Sequence, residues 1–503
     1  MDGLERLAGA VLCVGVPAAP DAAALDALAR LGPGGIILFD RNVSTPARTR
    51  AGLETIAAAC GGALPPLFAV DQEGGRVARL REGAAALPAM MALGACGDAA
   101  LAEEAGRALA ADVRRFGANL DFAPVLDLAL DPRCAAVGSR SFGDDPQRVA
   151  DLGSALVRGL RAGGVAATAK HFPGHGDTPL DSHRELPVVA TDAVTLRARE
   201  LVPFRAAIAA GVECVMSAHV VVPALEPALP ATLSRRALTD LLRAELGFTG
   251  VCFTDCLEMD AIAATVGTPR AAALALAAGA DCAVISHRLP LAEAARDAIV
   301  EAVRRGELPL ARLEEAAARV ARLRASLASR TAAPYSYEEG EALARRIARG
   351  AIARLRGSAV LAPGAPVTLL SFEAAAAREA PSLNLALRRR RVRSELLRAP
   401  LDPAPELREQ LLALVAAQPG RALVVVTRRT HLYPLQRAAA EAVLALAPGA
   451  IVVCALEPFD AAVLPQAREV LCSFGDGELA LEALADVLTG REPAPGSVPV
   501  RLS

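Results

Sequence analysis

The segment from residue 170 to residue 183 holds the densest set of side chains able to do chemistry. It reads Lys-His-Phe-Pro-Gly-His-Gly-Asp-Thr-Pro-Leu-Asp-Ser-His, so three histidines and two aspartates share one short stretch. Because its prolines and glycines break helices, the pattern predicts an irregular loop. Loops carried by a rigid scaffold are common locations for binding and catalysis. A solvated polar loop without function is the alternative interpretation.

Asp181 and His183 are spaced to act as one acid/base unit. Two residues apart in an extended segment, their side chains lie on the same side, and the carboxylate can accept one ring N–H and fix the tautomer. Such a histidine can give and take a proton near neutral pH. Asp255, at the end of the apolar run Val251 to Asp255, offers a nucleophile. A zinc site is the alternative, although the spacing matches neither HxH nor HExxH.

Lys170 is the single lysine of the chain, and the other 53 of its 54 basic residues are arginine. A composition this rich in alanine and arginine indicates that arginine replaces lysine wherever either is tolerated. The compact ammonium differs from the wider planar guanidinium, so the replacement fails in a tight pocket. We therefore predict a functional role for Lys170, against chance survival of one lysine.

Eight short apolar runs alternate with longer stretches rich in Ala, Leu and Arg up to about residue 330. Continuous apolar runs are typical of parallel strands covered on both faces, and the intervening stretches are long enough for crossover helices. This alternation predicts a (β/α)8 barrel over residues 1–330, with a doubly wound sheet as the alternative. The runs are Ala10 to Val16, Gly35 to Phe39, Leu67 to Asp71, Asn119 to Asp127, Val165 to His171, Cys214 to Val222, Gly250 to Asp255 and Ala280 to Ser286.

Polar residues follow the ends of four of these runs, where barrel enzymes carry their active sites. They are Asp71 to Arg76 after the third run, Lys170-His171 at the end of the fifth, Ser217 to His219 in the sixth and Thr254-Asp255 in the seventh. The sequence thus predicts that these residues share one end of the barrel.

The rest of the chain is predicted to form a second, smaller domain. Residues 331–356 are expected to be a linker and connecting helix, and residues 357–503 an α/β sandwich. Its predicted strands are Val367 to Phe372, Ala422 to Thr427, Ala450 to Leu456 and Val470 to Phe474. The basic run Leu387 to Arg393 is interpreted as a solvated helix face, with an anion site as the alternative.

Composition excludes several classes of function. The net charge of −2 gives no reason to expect nucleic acid as a partner, and no apolar stretch reaches the length of a membrane span, about 18 residues. The ten cysteines are scattered without CxxC spacing, which favours reduced thiols in a cytoplasmic protein.

Four motifs in order resemble the signatures of the glycoside hydrolase family 3 β-N-acetylglucosaminidases. The most specific is residues 170–178 followed by Asp181-Ser182-His183. The tail, at Ala485 to Gly490 and Pro495 to Val500, resembles the end of the family's second domain. The other three motifs are Asp71-Gln72-Glu73-Gly74-Gly75-Arg76-Val77, Arg140-Ser141-Phe142-Gly143, and Gly247-Phe248-Thr249-Gly250 leading to Thr254-Asp255-Cys256-Leu257-Glu258-Met259.

The resemblance implies a retaining glycosidase without cofactor or metal. By residue matching, Asp255 is the nucleophile that forms a covalent glycosyl-enzyme, and His183, oriented by Asp181, is the acid/base. The expected substrate is a small saccharide with terminal N-acetylglucosamine, from cell-wall fragments or related glycans, and the expected state is a monomer or homodimer. The residues that would hold the sugar are Asp71, Arg79, Arg140, Lys170 and His171.

Three other functions stay open at this point. A neutral imidazole acid/base does not repel phosphate as a carboxylate would, so phosphorolysis is an alternative to hydrolysis. A metal-dependent hydrolase and a saccharide sensor without turnover are the other two. One departure from many relatives is Cys256, which stands where they carry a second aspartate beside the nucleophile, and we interpret it as a packing residue.

Overall fold

The computed structural model describes residues 3–179, 185–374 and 382–502, which fold into two compact units. The first unit comprises residues 1–85, 99–137 and 146–340. The second comprises residues 341–503 together with two segments from the first third of the chain, 86–98 and 138–145.

Eight parallel strands close into a barrel in the first unit, which confirms the predicted (β/α)8 fold. The barrel closes where the first strand pairs with the last, with Leu12 opposite Ala283. A two-stranded hairpin, β4 (Gln72–Gly74) and β5 (Val77–Ala78), follows the third barrel strand. The barrel strands are β1 (Leu12–Gly15), β2 (Gly35–Leu38), β3 (Leu67–Val70), β6 (Leu120–Asp121), β7 (Ala166–Phe172), β8 (Cys214–Ser217), β9 (Val251–Cys256) and β10 (Cys282–Ile285).

The barrel interior is filled by apolar side chains from alternate positions of these strands. Phe122 and Phe253 meet edge to face, with ring centroids 5.4 Å apart, in a cluster that also holds Met216. Side chains of the helix Leu310–Ala328, such as Val320 and Leu323, belong to the same cluster. The barrel is therefore a packed core that supports its strand ends rigidly.

The helices of the first unit begin and end at residues suited to those positions. The Asp21 side chain accepts the N–H of Ala24 at the start of α2, and Gly32, with φ of 58°, ends that helix. The α-helices are α1 (Gly3–Ala10), α2 (Ala22–Leu31), α3 (Pro46–Cys60), α5 (Ala99–Arg115), α6 (Pro146–Ala162), α7 (Ala193–Ala198), α8 (Leu201–Ala209), α9 (Asp260–Ala263), α10 (Thr268–Ala278), α11 (Leu289–Arg304) and α12 (Leu310–Ala328), with a π-helix at Arg236–Glu245 and short 3-10 turns at Asp40–Asn42 and Ala231–Leu233. Helix α13 (Tyr337–Ala351) contains the boundary between the units.

Asp281 anchors the end of the barrel at which β10 begins. Its fully buried carboxylate accepts the Cys252 N–H at 2.9 Å. It also pairs with the guanidinium groups of Arg243 (2.5 Å), Arg312 (2.5 Å) and Arg319 (3.0 Å). This network joins two helices, Arg236–Glu245 and Leu310–Ala328, to two strands, far from the strand ends that carry the candidate site.

The second unit contains a six-stranded sheet flanked by helices, which confirms the predicted α/β domain. Five strands are parallel, and β11 pairs with β16 antiparallel. The strand order is β11-β16-β15-β14-β12-β13. The elements are α4 (Met90–Cys96), a 3-10 turn at Gly138–Arg140, β11 (Ala353–Arg356), β12 (Pro366–Glu373), α14 (Leu383–Arg389), β13 (Arg393–Pro400), α15 (Pro405–Ala416), β14 (Ala422–Thr427), α16 (Pro434–Leu446), β15 (Ile451–Cys454), α17 (Asp460–Val463), β16 (Glu469–Cys472) and α18 (Glu478–Leu488).

The interpretation of the basic run as a solvated helix face is wrong for part of it. Arg390, whose side chain is 9% exposed, pairs with Glu482 and Asp486 of α18. Leu387 is fully buried, and Arg393 already belongs to strand β13. Ion pairs of these arginines thus join the end of α14 to α18, whose acidic face compensates their charge.

All ten cysteines are free, and seven of them are buried, as the scattered spacing predicts. In the part of the chain that the structure describes, no helix combines the length and apolarity needed to cross a bilayer.

Candidate active site

The polar residues predicted to share one end of the barrel lie on alternate barrel strands of the first unit. Asp71 directly follows β3, Lys170 and His171 lie near the carboxyl end of β7, and Asp255 lies near that of β9. The carboxyl ends of barrel strands all face the same side, so the fold places these groups together.

Lys170 is buried and neutralised by two carboxylates. Its side chain is 2% exposed, and its Nζ lies 2.9 Å from Asp71 Oδ1 and 2.6 Å from Glu73 Oε1. The hairpin that follows β3 turns Glu73 back onto Lys170. A compact ammonium fits between two carboxylates where a planar guanidinium would need more room.

Gln72 fixes the hairpin that carries Glu73. Its backbone N–H donates to Asp121 Oδ1 at 3.0 Å, and its side-chain amide exchanges two hydrogen bonds with the backbone of Leu80. Burial raises the pKa of the fully buried Asp121 carboxyl well above its ordinary value, although the Gln72 N–H and the charge of Lys170 oppose this. The turn between the two strands of the hairpin passes through Gly74 and Gly75, whose φ values of 95° and 57° suit glycine.

His171 is oriented by the buried carboxylate of Asp127. Its Nδ1 lies 2.6 Å from Asp127 Oδ2, and its backbone N–H donates to both carboxylate oxygens at 3.2 Å. The His175 N–H donates to Asp127 Oδ1 at 2.7 Å. Burial by itself raises the pKa of Asp127. The charge of His171 and its hydrogen bond outweigh burial, so the pKa of Asp127 lies below its ordinary value. Nδ1 of His171 therefore carries the proton, which leaves Nε2 for other partners.

Asp255 is kept ionised by the groups around it. Burial would raise the pKa of its carboxyl, but the charges of His171 and His219, the N–H of Cys256 and the charge of Lys170 together lower it to about 2. The Cys256 N–H donates to Asp255 Oδ1 at 2.7 Å. At neutral pH this group is a carboxylate with one oxygen held in place.

His219 supports the backbone beside Asp255. It is fully buried, with Nε2 2.9 Å from the carbonyl oxygen of Cys256 and Nδ1 2.8 Å from Thr232 Oγ1. A carbonyl oxygen can only accept, so Nε2 of His219 carries a proton. Burial raises the pKa of the Cys256 thiol, which Ser286 hydrogen-bonds. The thiol therefore stays protonated, in keeping with a packing role.

Arg79 lies at the edge of this cluster with hydrogen-bonding capacity to spare. It pairs with Asp40 at 3.6 Å and faces the ring of Phe39, whose centroid is 5.7 Å from its guanidinium carbon. Its buried Nε has no hydrogen-bond partner among the described residues. The side chain as a whole is 27% exposed, so part of the guanidinium faces solvent.

Arg140 belongs to the second unit, at the end of the 3-10 turn Gly138–Arg140. The Ser139 N–H donates to Glu457 Oε1 at 3.1 Å, and the same oxygen accepts from Arg429 at 2.9 Å. Glu457 therefore fixes the turn that carries Arg140.

Asp181 and His183, the predicted acid/base pair, lie outside the described residues. On either side of them, Asp177 and Thr191 are joined by a hydrogen bond of 3.1 Å and share Arg199. Among residues 3–179, 185–374 and 382–502, no group of three or more His, Cys, Asp or Glu side chains could hold a metal ion.

Comparison with known proteins decides the family. Residues 7–323 match the glycosyl hydrolase family 3 N-terminal domain. The chain belongs to glycosyl hydrolase family 3. It is therefore a glycoside hydrolase, and the resemblance read from its four motifs is confirmed.

Relatives within family 3 are similar over most of their own length. A beta-hexosaminidase of Pseudomonas aeruginosa is 44% identical over 268 residues, which are 53% of this chain and 79% of the relative. A beta-hexosaminidase of Stenotrophomonas maltophilia is 44% identical over 261 residues, 50% of this chain and 76% of the relative. The solved family 3 beta-N-acetylglucosaminidase of Paenibacillus sp. str. FPU-7 is 36% identical with a TM-score of 0.91, and the match covers 100% of this chain and 99% of that one.

Two residues of the candidate site, Asp127 and Glu73, were not predicted from the sequence. Asp127 is the last residue of the predicted fourth run, so its position at a strand end was a usable signal. Glu73 lies inside a recognised motif, but its partner depends on the hairpin geometry, which the sequence does not specify.

Proposed function

We propose that the protein is a retaining exo-β-N-acetylglucosaminidase whose nucleophile is Asp255. The observation that carries the proposal is the electrostatic setting of this carboxylate, with Lys170, His171 and His219 around it and a pKa of about 2. A glycosidase nucleophile must be ionised when the substrate binds, and this group is ionised throughout the physiological pH range.

In the first step, Asp255 attacks the anomeric carbon as the bond to the leaving group breaks. His183 gives its proton to the departing oxygen, and a glycosyl ester of Asp255 forms. In the second step, His183 takes a proton from water, whose oxygen attacks the same carbon and releases Asp255. Both steps invert the centre, so the product keeps the β configuration. The role of His183 rests on the family motif at residues 181–183.

The sugar is proposed to be held by Lys170, Asp71, Arg79 and His171 of the first unit, and the family resemblance adds Arg140. The pairing of Lys170 with Asp71 supports this, because a carboxylate and an ammonium 2.9 Å apart present acceptor and donor to adjacent hydroxyls. Fixing the ring at several points converts binding energy into orientation for attack.

The proposed substrates are small saccharides with a terminal β-linked N-acetylglucosamine, such as cell-wall fragments handled in peptidoglycan recycling in the cytoplasm. The names of the Paenibacillus and Pseudomonas relatives support the sugar. The aglycone and the location rest on the family resemblance and the unpaired thiols.

Turnover of an aryl β-N-acetylglucosaminide by the Asp255→Ala variant tests this function. We expect loss of at least about 10³-fold in kcat, with Asp260→Ala, an exposed aspartate five residues on, as the unaffected control. Near-normal turnover by Asp255→Ala would rule the nucleophile out. Repeating the assay with phosphate, with NMR of the product, separates hydrolysis from phosphorolysis, and a chelator arm tests the metal-dependent alternative.

A further inference from the structure

We propose that Arg199 is a positioning residue that holds the two ends of the chain segment carrying Asp181 and His183. This inference rests on the proposed function, since it acts through the acid/base pair. Arg199 follows helix α7, well outside the four family motifs that the sequence presents.

The guanidinium of Arg199 bridges the two sides of that segment. Its Nη2 lies 2.5 Å from Asp177 Oδ2, on the side that leads into the segment, and 3.0 Å from Thr191 Oγ1, on the side that leads out. Thr191 Oγ1 also lies 3.1 Å from Asp177 Oδ2. Residues fourteen apart in sequence are thus held in one hydrogen-bonded cluster.

Glu200 fixes this cluster to the barrel. It is 3% exposed, accepts from Arg199 Nε at 2.9 Å, and lies 3.3 Å from Thr191 Oγ1. The next residues form α8, whose Phe204 packs edge to face on Phe172 at 5.3 Å between ring centroids. Phe172 belongs to β7, the strand that carries Lys170 and His171, so the cluster is attached to the sugar-binding strand itself.

Two further contacts act at the same ends. Gly174, with φ of 126°, passes so close to Glu200 that a Cβ there would lie 3.1 Å from Glu200 Cγ. On the outgoing side, the Val189 N–H donates to the Val221 carbonyl at 2.9 Å, and the Val221 N–H donates to Pro187. Backbone contacts therefore direct the chain, while Arg199 supplies the charged link between the ends.

The cluster is electrostatically strong. One guanidinium faces the carboxylates of Asp177 and Glu200, and the hydrogen bonds and charges of these two groups raise the pKa of Arg199 despite its partial burial. Such charge-assisted bonds restrain geometry more tightly than neutral ones. A general acid must stay within hydrogen-bonding reach of the leaving oxygen, and a displacement of about 1 Å can cost about 100-fold in rate.

The test compares two substrates that differ in their need for the acid. Arg199→Ala should lower kcat/KM about 10- to 100-fold for a substrate with a poor leaving group, such as a disaccharide, and less than about threefold for a 2,4-dinitrophenyl glycoside. Arg199→Lys should restore part of the loss. Arg197→Ala is the matched control. Arg197 lies two residues before Arg199, and its loss removes a cation from an exposed pair with Glu245.

A double-mutant cycle with His183→Ala distinguishes positioning from general destabilisation. In the His183→Ala background, Arg199→Ala should have no further effect on either substrate, because there is no acid left to place. Should Arg199→Ala not fold, Thr191→Val removes the bridging hydroxyl and should show the same selectivity. Equal losses on both substrates, or losses on neither, would overturn the positioning role. If His183→Ala itself shows no leaving-group selectivity, it is the proposed acid that fails.

Discussion

The Nδ1 atom of His171 lies 2.6 Å from Oδ2 of Asp127, and both residues lie within the barrel end that carries Asp255. Asp127 accepts from the ring N–H and backbone N–H of His171 and from the backbone N–H of His175. A fully buried carboxylate with so many donors fixes both the tautomer and the direction of the imidazole. His171, one of the groups that lower the pKa of Asp255, is thus held in place by a second carboxylate.

Asp127→Asn should lower kcat/KM for an activated aryl glycoside about 10- to 100-fold, corresponding to about 1–3 kcal/mol. In either orientation the amide NH2 would face an N–H donor, namely ring Nδ1 of His171 or the backbone N–H groups of His171 and His175, so the imidazole would lose part of its support. Steady-state kinetics measure this loss. Asp131→Asn, which affects only a local contact with the exposed Arg133, is the control. A variant with the normal rate would show that His171 needs no orienting carboxylate.

Lys170→Arg should reduce kcat/KM at least about 10-fold, because a guanidinium does not fit the space between Asp71 and Glu73 without displacing one of them. Removing the charge with Lys170→Met should also destabilise the fold by about 3–5 kcal/mol, since two carboxylates would lose their partner. Chemical unfolding separates the two effects. An unaltered Lys170→Arg enzyme would mean that the single lysine has no special role.

Sequence reasoning located the fold and most of the candidate site because these depend on local patterns. Apolar runs that alternate with helical stretches predict a barrel, and the single lysine of the chain, Lys170, indicates a tight polar pocket. The eight predicted runs all contain barrel strands, yet the fourth, Asn119 to Asp127, is a strand only at Leu120–Asp121. Beyond Asp121 the segment still runs alongside β7: the Lys170 N–H donates to the Pro124 carbonyl and the Leu126 N–H to the Lys170 carbonyl, which places Asp127 beside His171.

The missed features depend on contacts between distant residues. Strand β13 (Arg393–Pro400) lies at the sheet edge, where exposed and buried positions alternate irregularly and arginines mask the strand pattern. The pairing of Glu73 with Lys170 joins residues about a hundred positions apart through a hairpin whose shape no local rule supplies. Asp181 and His183 lie outside the described residues, so their pairing stays a prediction.

Asp281→Asn should destabilise the protein by about 3–5 kcal/mol while leaving kcat/KM of the folded enzyme unchanged. The substitution leaves Arg243, Arg312 and Arg319 with reduced compensation at the barrel end opposite the candidate site. Urea unfolding measures the first effect, and kinetics at low temperature measure the second. A large loss of kcat/KM in the fully folded Asp281→Asn variant would show that Asp281 contributes to catalysis as well as to stability.

The pH dependence of kcat/KM should carry no acid limb from Asp255 above about pH 4. Its pKa is lowered from the ordinary 3.8 to about 2, so protonation, which removes the nucleophile, begins only as the pH falls towards that value. A 2,4-dinitrophenyl glycoside needs no proton to depart, and its kcat/KM should stay level from pH 6 to pH 4. A fall with an apparent pKa between 4 and 6, with the fold intact, would contradict the ionised nucleophile.

Trapping the glycosyl-enzyme intermediate identifies the nucleophile directly. A 5-fluoro N-acetylglucosaminyl fluoride should inactivate the enzyme by forming a slowly hydrolysed ester, and mass spectrometry of the digested protein should find the added sugar on Asp255. One sugar per chain is expected at that residue, and none in Asp255→Ala. Label on another residue would contradict it.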